Sequence, residues 1–271
     1  MKDSHEELAG LAREARRALV RMIGGLGVGH VGGCLSVIEA MTYLYYREMK
    51  IKPDRPDWPD RDRFIMSKGH AGPALYTMLG LRGYFSKYLF ATLNRPGTRL
   101  PSHCDMRLTT GVDMTAGSLG QGLSIAVGMA LAARLDRKTY RTFCIIGDGE
   151  QQEGQIWEAA MYAASRKLDN LVALLDDNGM QIDGLTDDIN TVRPMEKRWA
   201  AFGWATTVIN GHDFGELEKA FCFARKTRGK PTAIVMNTIK GKGVSIAENK
   251  CSSHNMPLTP EQTEEALREL Q

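Results

Sequence analysis

A chain of 271 residues has room for one large α/β domain or two small ones, and 43% hydrophobic against 25% charged residues is an ordinary globular composition. A net charge of only +3 with no dense Lys/Arg run excludes a general nucleic-acid binder, and no apolar run reaches the ~18 residues that would suggest a membrane span. Five scattered cysteines without a C-x-x-C pair read as reduced thiols, and a charged N-terminal segment containing acids fits neither a signal nor a transit peptide, so a cytoplasmic protein is expected.

Ser4-x-x-Glu7 is a capping-box signature, and Leu8, Leu11, Ala15, Leu19, Met22 and Ile23 then recur at helical spacing up to Gly24-Gly25. A second helix is predicted from Leu35 to Glu48, before the Pro-rich loop KPDRPDWPD, and two more over Pro73–Arg82 and Gln121–Arg134. From there strands and helices alternate. TFCIIGD reads as a strand, EGQIWEAAMYAASRK as a helix and NLVALLDDN as a strand; ATTVI, FGELEKAFCFARK and TAIVMNT repeat that order. Thr259-Pro260-Glu261-Gln262 opens a last amphipathic helix. Such alternation predicts an α/β fold, a parallel sheet with helices on both faces, and the absence of repeats or low-complexity segments makes residues 1–271 a single domain.

Gly27-Val28-Gly29-His30-Val31-Gly32 matches G-x-G-x-x-G, but an amphipathic helix precedes it where a dinucleotide site needs a strand. Context rejects that oxidoreductase reading.

In open parallel sheets, ligands gather beyond the carboxyl ends of the strands. Asp148 stands at such an end after FCIIG, and Asn178 at another after LVALLDD. A hard divalent cation takes about six oxygens, and Asp148 offers a carboxylate, Asn178 an amide oxygen and Met180 a backbone carbonyl. Gly147 and Gly149 would let a phosphate-bearing ligand approach without meeting a Cβ, and a helix starting near Glu153 would point its N-terminus at the anion. Either piece alone is more simply a solvated Asp in a tight turn or a β-turn at Asp177-Asn178-Gly179. The pair on successive strands is far more specific.

G-D-G-x(4)-E-G followed by D-N-G resembles the thiamine diphosphate motif. SKGHAGPALYTMLGLRGY, TAGSLGQGLSIAVGMALA, LDNLVALLDDNGMQIDG and TIKGKG resemble segments of the diphosphate-binding N-terminal portion of transketolases, and the likeness runs from about residue 10 to about residue 258.

The resemblance implies thiamine diphosphate held through Mg²⁺, or Mn²⁺ or Ca²⁺, with Asp148, Asn178 and the Met180 carbonyl as metal ligands. Gly149 and Lys240 match diphosphate contacts, and Gly117-Ser118-Leu119 matches the loop at the aminopyrimidine. His70, Gly117, Leu119, Gly147, Asp148, Gly149, Glu153, Asn178 and Lys240 are therefore the expected cofactor contacts. Glu153 and Glu158 also match acids of the family's subunit interface, although first-turn helix acids need no such role. His30, His70, His103 and His254 match histidines of the substrate channel, where they would bind hydroxyls and move protons. His5 and His212 have no such context and read as surface or turn residues. Ser118 replaces a common Pro, and His254-Asn255 replaces the usual His-Gly.

The implied reaction transfers a two-carbon ketol unit from a ketose or its phosphate to an aldose, with the cofactor as electron sink. Single-chain transketolases continue into pyrimidine-binding and C-terminal domains. This sequence is thus expected to be one half of a split enzyme, an α₂β₂ heterotetramer with a partner carrying those domains. Rival readings are a component like 1-deoxyxylulose-5-phosphate synthase or a 2-oxoacid dehydrogenase, and a non-catalytic cofactor-binding subunit. The four loop histidines favour the ketol transferase.

Overall fold

The computed structural model describes residues 4–271. Five strands, β1 (Arg63–Met66), β2 (Thr142–Gly147), β3 (Leu171–Asp177), β4 (Ala205–Asn210) and β5 (Thr232–Asn237), form one parallel sheet in the order β1-β2-β3-β5-β4. The central strand β3 is buried at every position, as a near-continuous apolar run in a doubly covered sheet demands. β1 is a strand that periodicity alone leaves unread, because four residues give too short a pattern.

The helices are α1 (His5–Leu26), α2 (Val31–Leu35), α3 (Ile38–Tyr43), α4 (Gly72–Leu81), α5 (Gly122–Leu135), α6 (Gly154–Ser165), α7 (Thr186–Asn190), α8 (Met195–Ala201), α9 (Phe214–Lys226) and α10 (Pro260–Glu269). Strand side chains alternate between two cores. Phe143, Ile145, Val172, Leu174, Ile234 and Met236 pack on the side of α1, α3, α4 and α9. Cys144, Ile146, Ala173, Leu175, Ala233 and Val235 pack on the side of α5, α6 and α8. Helices on both faces, the expected architecture, follow from that period of two.

Two helix boundaries differ from expectation. α1 passes through Gly24-Gly25 and stops at Gly27, whose φ of +88° is the left-handed cap conformation. Gly24 is instead a contact, since a Cβ there would lie 2.3 Å from Thr263 Oγ1 of α10. The stretch expected as one helix from Leu35 to Glu48 is divided into α2, α3 and a π-turn over Leu44–Glu48. The G-x-G-x-x-G segment pairs Val28–Gly29 with Met256–Pro257 and enters α2 without any strand of the sheet before it.

Candidate active site

The register of the sheet sets the site. Gly147 of β2 pairs with Asp176 of β3, and Asp177 of β3 pairs with Asn237 of β5. The residues just beyond, Asp148, Asn178 and Thr238, therefore emerge side by side at the carboxyl edge. Gly179, with φ of +75°, turns the chain after β3 into a short antiparallel bridge between Met180–Gln181 and Gly184–Leu185.

Asp176 is fully buried and collects donors from four elements. Lys68 Nζ lies at 2.6 Å, Ser36 Oγ at 2.8 Å and Asn178 Nδ2 at 2.9 Å, and the Thr238 hydroxyl donates to its other oxygen. Burial opposes its ionisation, but Lys68 and the hydroxyl donors hold the carboxyl below the usual range. The bond from Asn178 Nδ2 fixes the amide plane, so that Oδ1 is the oxygen left to face the cavity; it accepts one bond, from Met180 N–H at 3.2 Å.

Asp148, 3% exposed, accepts from Thr186 Oγ1 at 2.8 Å and from Gly149 N–H at 2.8 Å. Burial and then the adjacent Asp176 push its carboxyl up to about 6. A buried acid beside a second buried acid asks for a cation. Lys240 supplies one, its Nζ 3.1 Å from the Met180 carbonyl and 3.3 Å from His254 Nδ1. That carbonyl has two lone pairs and keeps one free.

Glu150 ties the two glycine loops together. Its carboxylate accepts from the N–H of Gly147 and Gly120, each at 3.0 Å, and from Ser67 Oγ at 2.5 Å. A short 3-10 turn, Gly149–Gln152, separates Asp148 from α6, which begins at Gly154 with Glu153 as its N-cap, where the sequence places the helix start. Gly149 is closely surrounded: a Cβ would sit 3.1 Å from Gln181 Cβ, so a side chain there would have to displace Gln181 slightly.

One cavity of about 200 Å³ is lined by His70, Leu119, Gly147, Asp148, Gly149, Glu153, Asn178, Met180, Lys240 and His254, ten of the expected site residues. Gly117 lies outside it, in a neighbouring groove with His103. Glu153 is exposed at the start of α6 and makes no capping bond. The four loop histidines converge: the His30 ring centroid is 5.3 Å from His70, 5.8 Å from His103 and 5.4 Å from His254, and His70 is 4.8 Å from His254. Burial lowers the pKa of all four, reinforced by Lys68 at His70 and by Lys240 at His254, which falls to about 4. Each ring is thus neutral near pH 7, with one donor and one acceptor nitrogen.

A family model described as the transketolase thiamine diphosphate-binding domain matches residues 10–270. The chain belongs to the transketolase family. It is 55% identical over 271 residues to a 6-deoxy-6-sulfo-D-fructose transketolase subunit of Clostridium sp. strain MSTE9, covering all of this chain and 98% of that protein. It is 42% identical to one of the subunits of the apulose-4-phosphate transketolase of Phocaeicola vulgatus, covering 94% of this chain and 90% of that one. The transketolase of Campylobacter jejuni superposes with a TM-score of 0.91 at 32% identity, over 97% of this chain and 42% of that chain. The chain thus spans about two fifths of that solved transketolase.

For a transketolase domain the donor set is chemically apt. A carboxylate, an amide oxygen and a carbonyl are hard oxygen ligands, and the desolvated Asp148–Asp176 pair favours a divalent cation over a further lysine. Sequence reasoning missed Lys68, Asp176 and Glu150. Lys68 had a signal: FIMSK is an apolar run ending in a charge, the pattern that revealed Asp148 in FCIIGD. Glu150 had none, because its partners Gly120 and Ser67 come from other elements. His212 does occupy a turn, yet its side chain is packed inside rather than at the surface.

Proposed function

We propose that this chain is the thiamine diphosphate-binding subunit of a two-component transketolase. Together with a partner, it moves a two-carbon ketol unit from a ketose or its phosphate to an aldose acceptor. The observation that carries this reading is the meeting of Asp148, Asn178 Oδ1, the Met180 carbonyl and Lys240 Nζ in one cavity at the carboxyl ends of β2, β3 and β5. The first three would hold Mg²⁺, with Mn²⁺ or Ca²⁺ sharing the same donor preference. Lys240 Nζ and the backbone around Gly147 and Gly149 would face the diphosphate oxygens. Leu119 and the Gly117 loop would border the ring system, and Glu153 the mouth.

Thiamine diphosphate, when bound, supplies an electron sink for breaking the carbon–carbon bond beside the ketose carbonyl. This chain's own contribution is placement and proton handling. Neutral His30, His70, His103 and His254 present donor and acceptor nitrogens to sugar hydroxyls and carbonyl, and a neutral imidazole can take up the hydroxyl proton released on cleavage.

Coverage supports a separate partner. The two relatives named as subunits are matched over 98% and 90% of their length, and the solved transketolase over 42%. We read residues 1–271 as one domain that pairs with a second polypeptide bearing the pyrimidine-binding and C-terminal domains in a cytoplasmic α₂β₂ assembly. No helix among the described residues is long and apolar enough to cross a membrane.

The test is co-purification with the partner and a donor screen led by 6-deoxy-6-sulfo-D-fructose, the sugar in the name of the 55% relative. Two-carbon transfer is expected only with both polypeptides present. Full turnover by the lone chain would refute the two-component reading, and CO₂ release from pyruvate would refute the ketol-transfer reading.

A further inference from the structure

Two buried ionisable groups and a largely enclosed histidine, all outside the cavity, have no part in the reading above. Arg16 on α1 and Glu39 on α3 are 6% and 8% exposed, and His212 sits in the turn between β4 and α9. Arg16 grips Glu39 with a two-pronged fork, Nη1 to Oε1 at 2.6 Å and Nη2 to Oε2 at 2.7 Å. Glu39 Oε2 lies 2.9 Å from His212 Nδ1, and His212 Nε2 lies 2.9 Å from the backbone nitrogen of Ile239. A backbone N–H can only donate, so Nε2 carries the lone pair and Nδ1 carries the proton, which it donates to Glu39. Burial opposes ionisation of Glu39, but His212 and Arg16 outweigh it and hold the carboxyl at about 2.

The network has a second arm. Arg16 Nε donates to the carbonyl of Lys242 at 3.1 Å. Its two ends therefore grasp the backbone at Ile239 and at Lys242, on either side of Lys240. Between them Gly241, at φ of +78°, donates to the Gly32 carbonyl at 3.0 Å, and a Cβ there would come within 2.3 Å of the Ala247 carbonyl oxygen. Burying the Arg16–Glu39 ion pair costs desolvation that apolar packing would avoid, and what the pair gains with His212 is a set register for four backbone residues. From that turn Lys240 reaches the opposite way, to the Met180 carbonyl.

We infer that His212 is a positioning residue: with Glu39 and Arg16 it holds the Ile239–Lys242 turn so that Lys240 Nζ enters the diphosphate cavity. The inference rests on the cofactor reading proposed above and adds to it a residue some distance from the cavity.

Asn and Gln separate the two bonds of His212. In His212→Asn the amide overlies Nδ1, keeping Glu39 while leaving the Ile239 N–H without an acceptor. In His212→Gln it overlies Nε2 and keeps that acceptor. The probe is Mg²⁺ with inorganic pyrophosphate, titrated calorimetrically into the full chain. His212→Asn should weaken binding about fivefold, the loss of one neutral hydrogen bond, and His212→Gln should stay within about twofold of wild type. In a Lys240→Ala background, His212→Asn should have no further effect, which a merely structural role would not predict. Should His212→Asn not fold, Arg16→Lys, which keeps a charge on Glu39 but cannot reach the Lys242 carbonyl, is read in the same way. Wild-type affinity in a folded variant, or an equal loss with and without Lys240, overturns the inference alone. A wild-type chain that does not bind Mg²⁺-pyrophosphate sinks the cofactor reading and the inference with it.

Discussion

The strands β2, β3 and β5 are two different materials along their length. Their interiors, FCII, LVALL and AIVM, are buried apolar surface on both faces. Within one or two residues of their carboxyl ends the same strands carry Asp148, Asp176, Asp177 and Thr238. The interior stabilises the fold in proportion to the apolar area it hides. The ends cost desolvation, offset by ion pairs and hydroxyl donors at Asp176 but left partly uncompensated at Asp148. The lesson is that the site's binding power is the unmet part of that electrostatic cost. In the proposed site, a bound cation would meet it.

Substitutions at the two ends of a strand should separate these roles. The largest effect is expected from Lys68→Met, which strips the buried Asp176 of its 2.6 Å partner and should cost about 3–5 kcal/mol, read as a fall in denaturation midpoint. Leu174→Ala, in the interior of β3 and 0% exposed, should cost about 3 kcal/mol yet leave Mg²⁺-pyrophosphate affinity unchanged in the folded fraction. A large affinity loss there would erase the distinction between interior and end.

Asp148→Asn should do the reverse. Metal-dependent cofactor affinity should fall on the order of 100-fold by calorimetry, because the only carboxylate of the donor set is gone. Stability without ligand should rise. The folded carboxyl is raised from 3.8 to about 6, so its destabilising contribution is absent below the lower value and complete above the upper one. The variant should therefore gain about 2 kcal/mol at pH 8 and nothing at pH 3.5. A variant less stable than wild type at pH 8 would contradict this account of the strand end.

The smallest effect belongs to the histidines. Burial, then Lys240, depress His254 from 6.5 to about 4, so between those values the unfolded chain binds more protons. Stability should rise with pH across that window and be lost on acidification. Melting curves from pH 4 to 7 should be flatter in His254→Asn; an unchanged slope would mean that His254 titrates normally.

Legibility followed the range of the interactions. Asp148 and Asn178 could be found because an apolar run ending in a polar residue and a glycine is a local pattern. Gly24 deceived for the same reason: a double glycine looks like a helix stop, and its true cause, Thr263, lies in another helix. Lys68 and Asp176 are separated by 108 positions, and Glu39 and His212 by 173, so no window on the chain contains either pair.

The sequence by itself determined the alternation of strands and helices, the two-sided sheet and the residues at its carboxyl edge, because these depend on side-chain period and turn chemistry within a few residues. Only the tertiary structure decided which buried charges are paired, which end of the Asn178 amide faces the cavity, which tautomer His212 adopts and how four histidines from separate loops come to meet. Those properties depend on distances of about 3 Å between distant segments, and Coulomb and hydrogen-bond energies act over distance in space, not along the chain.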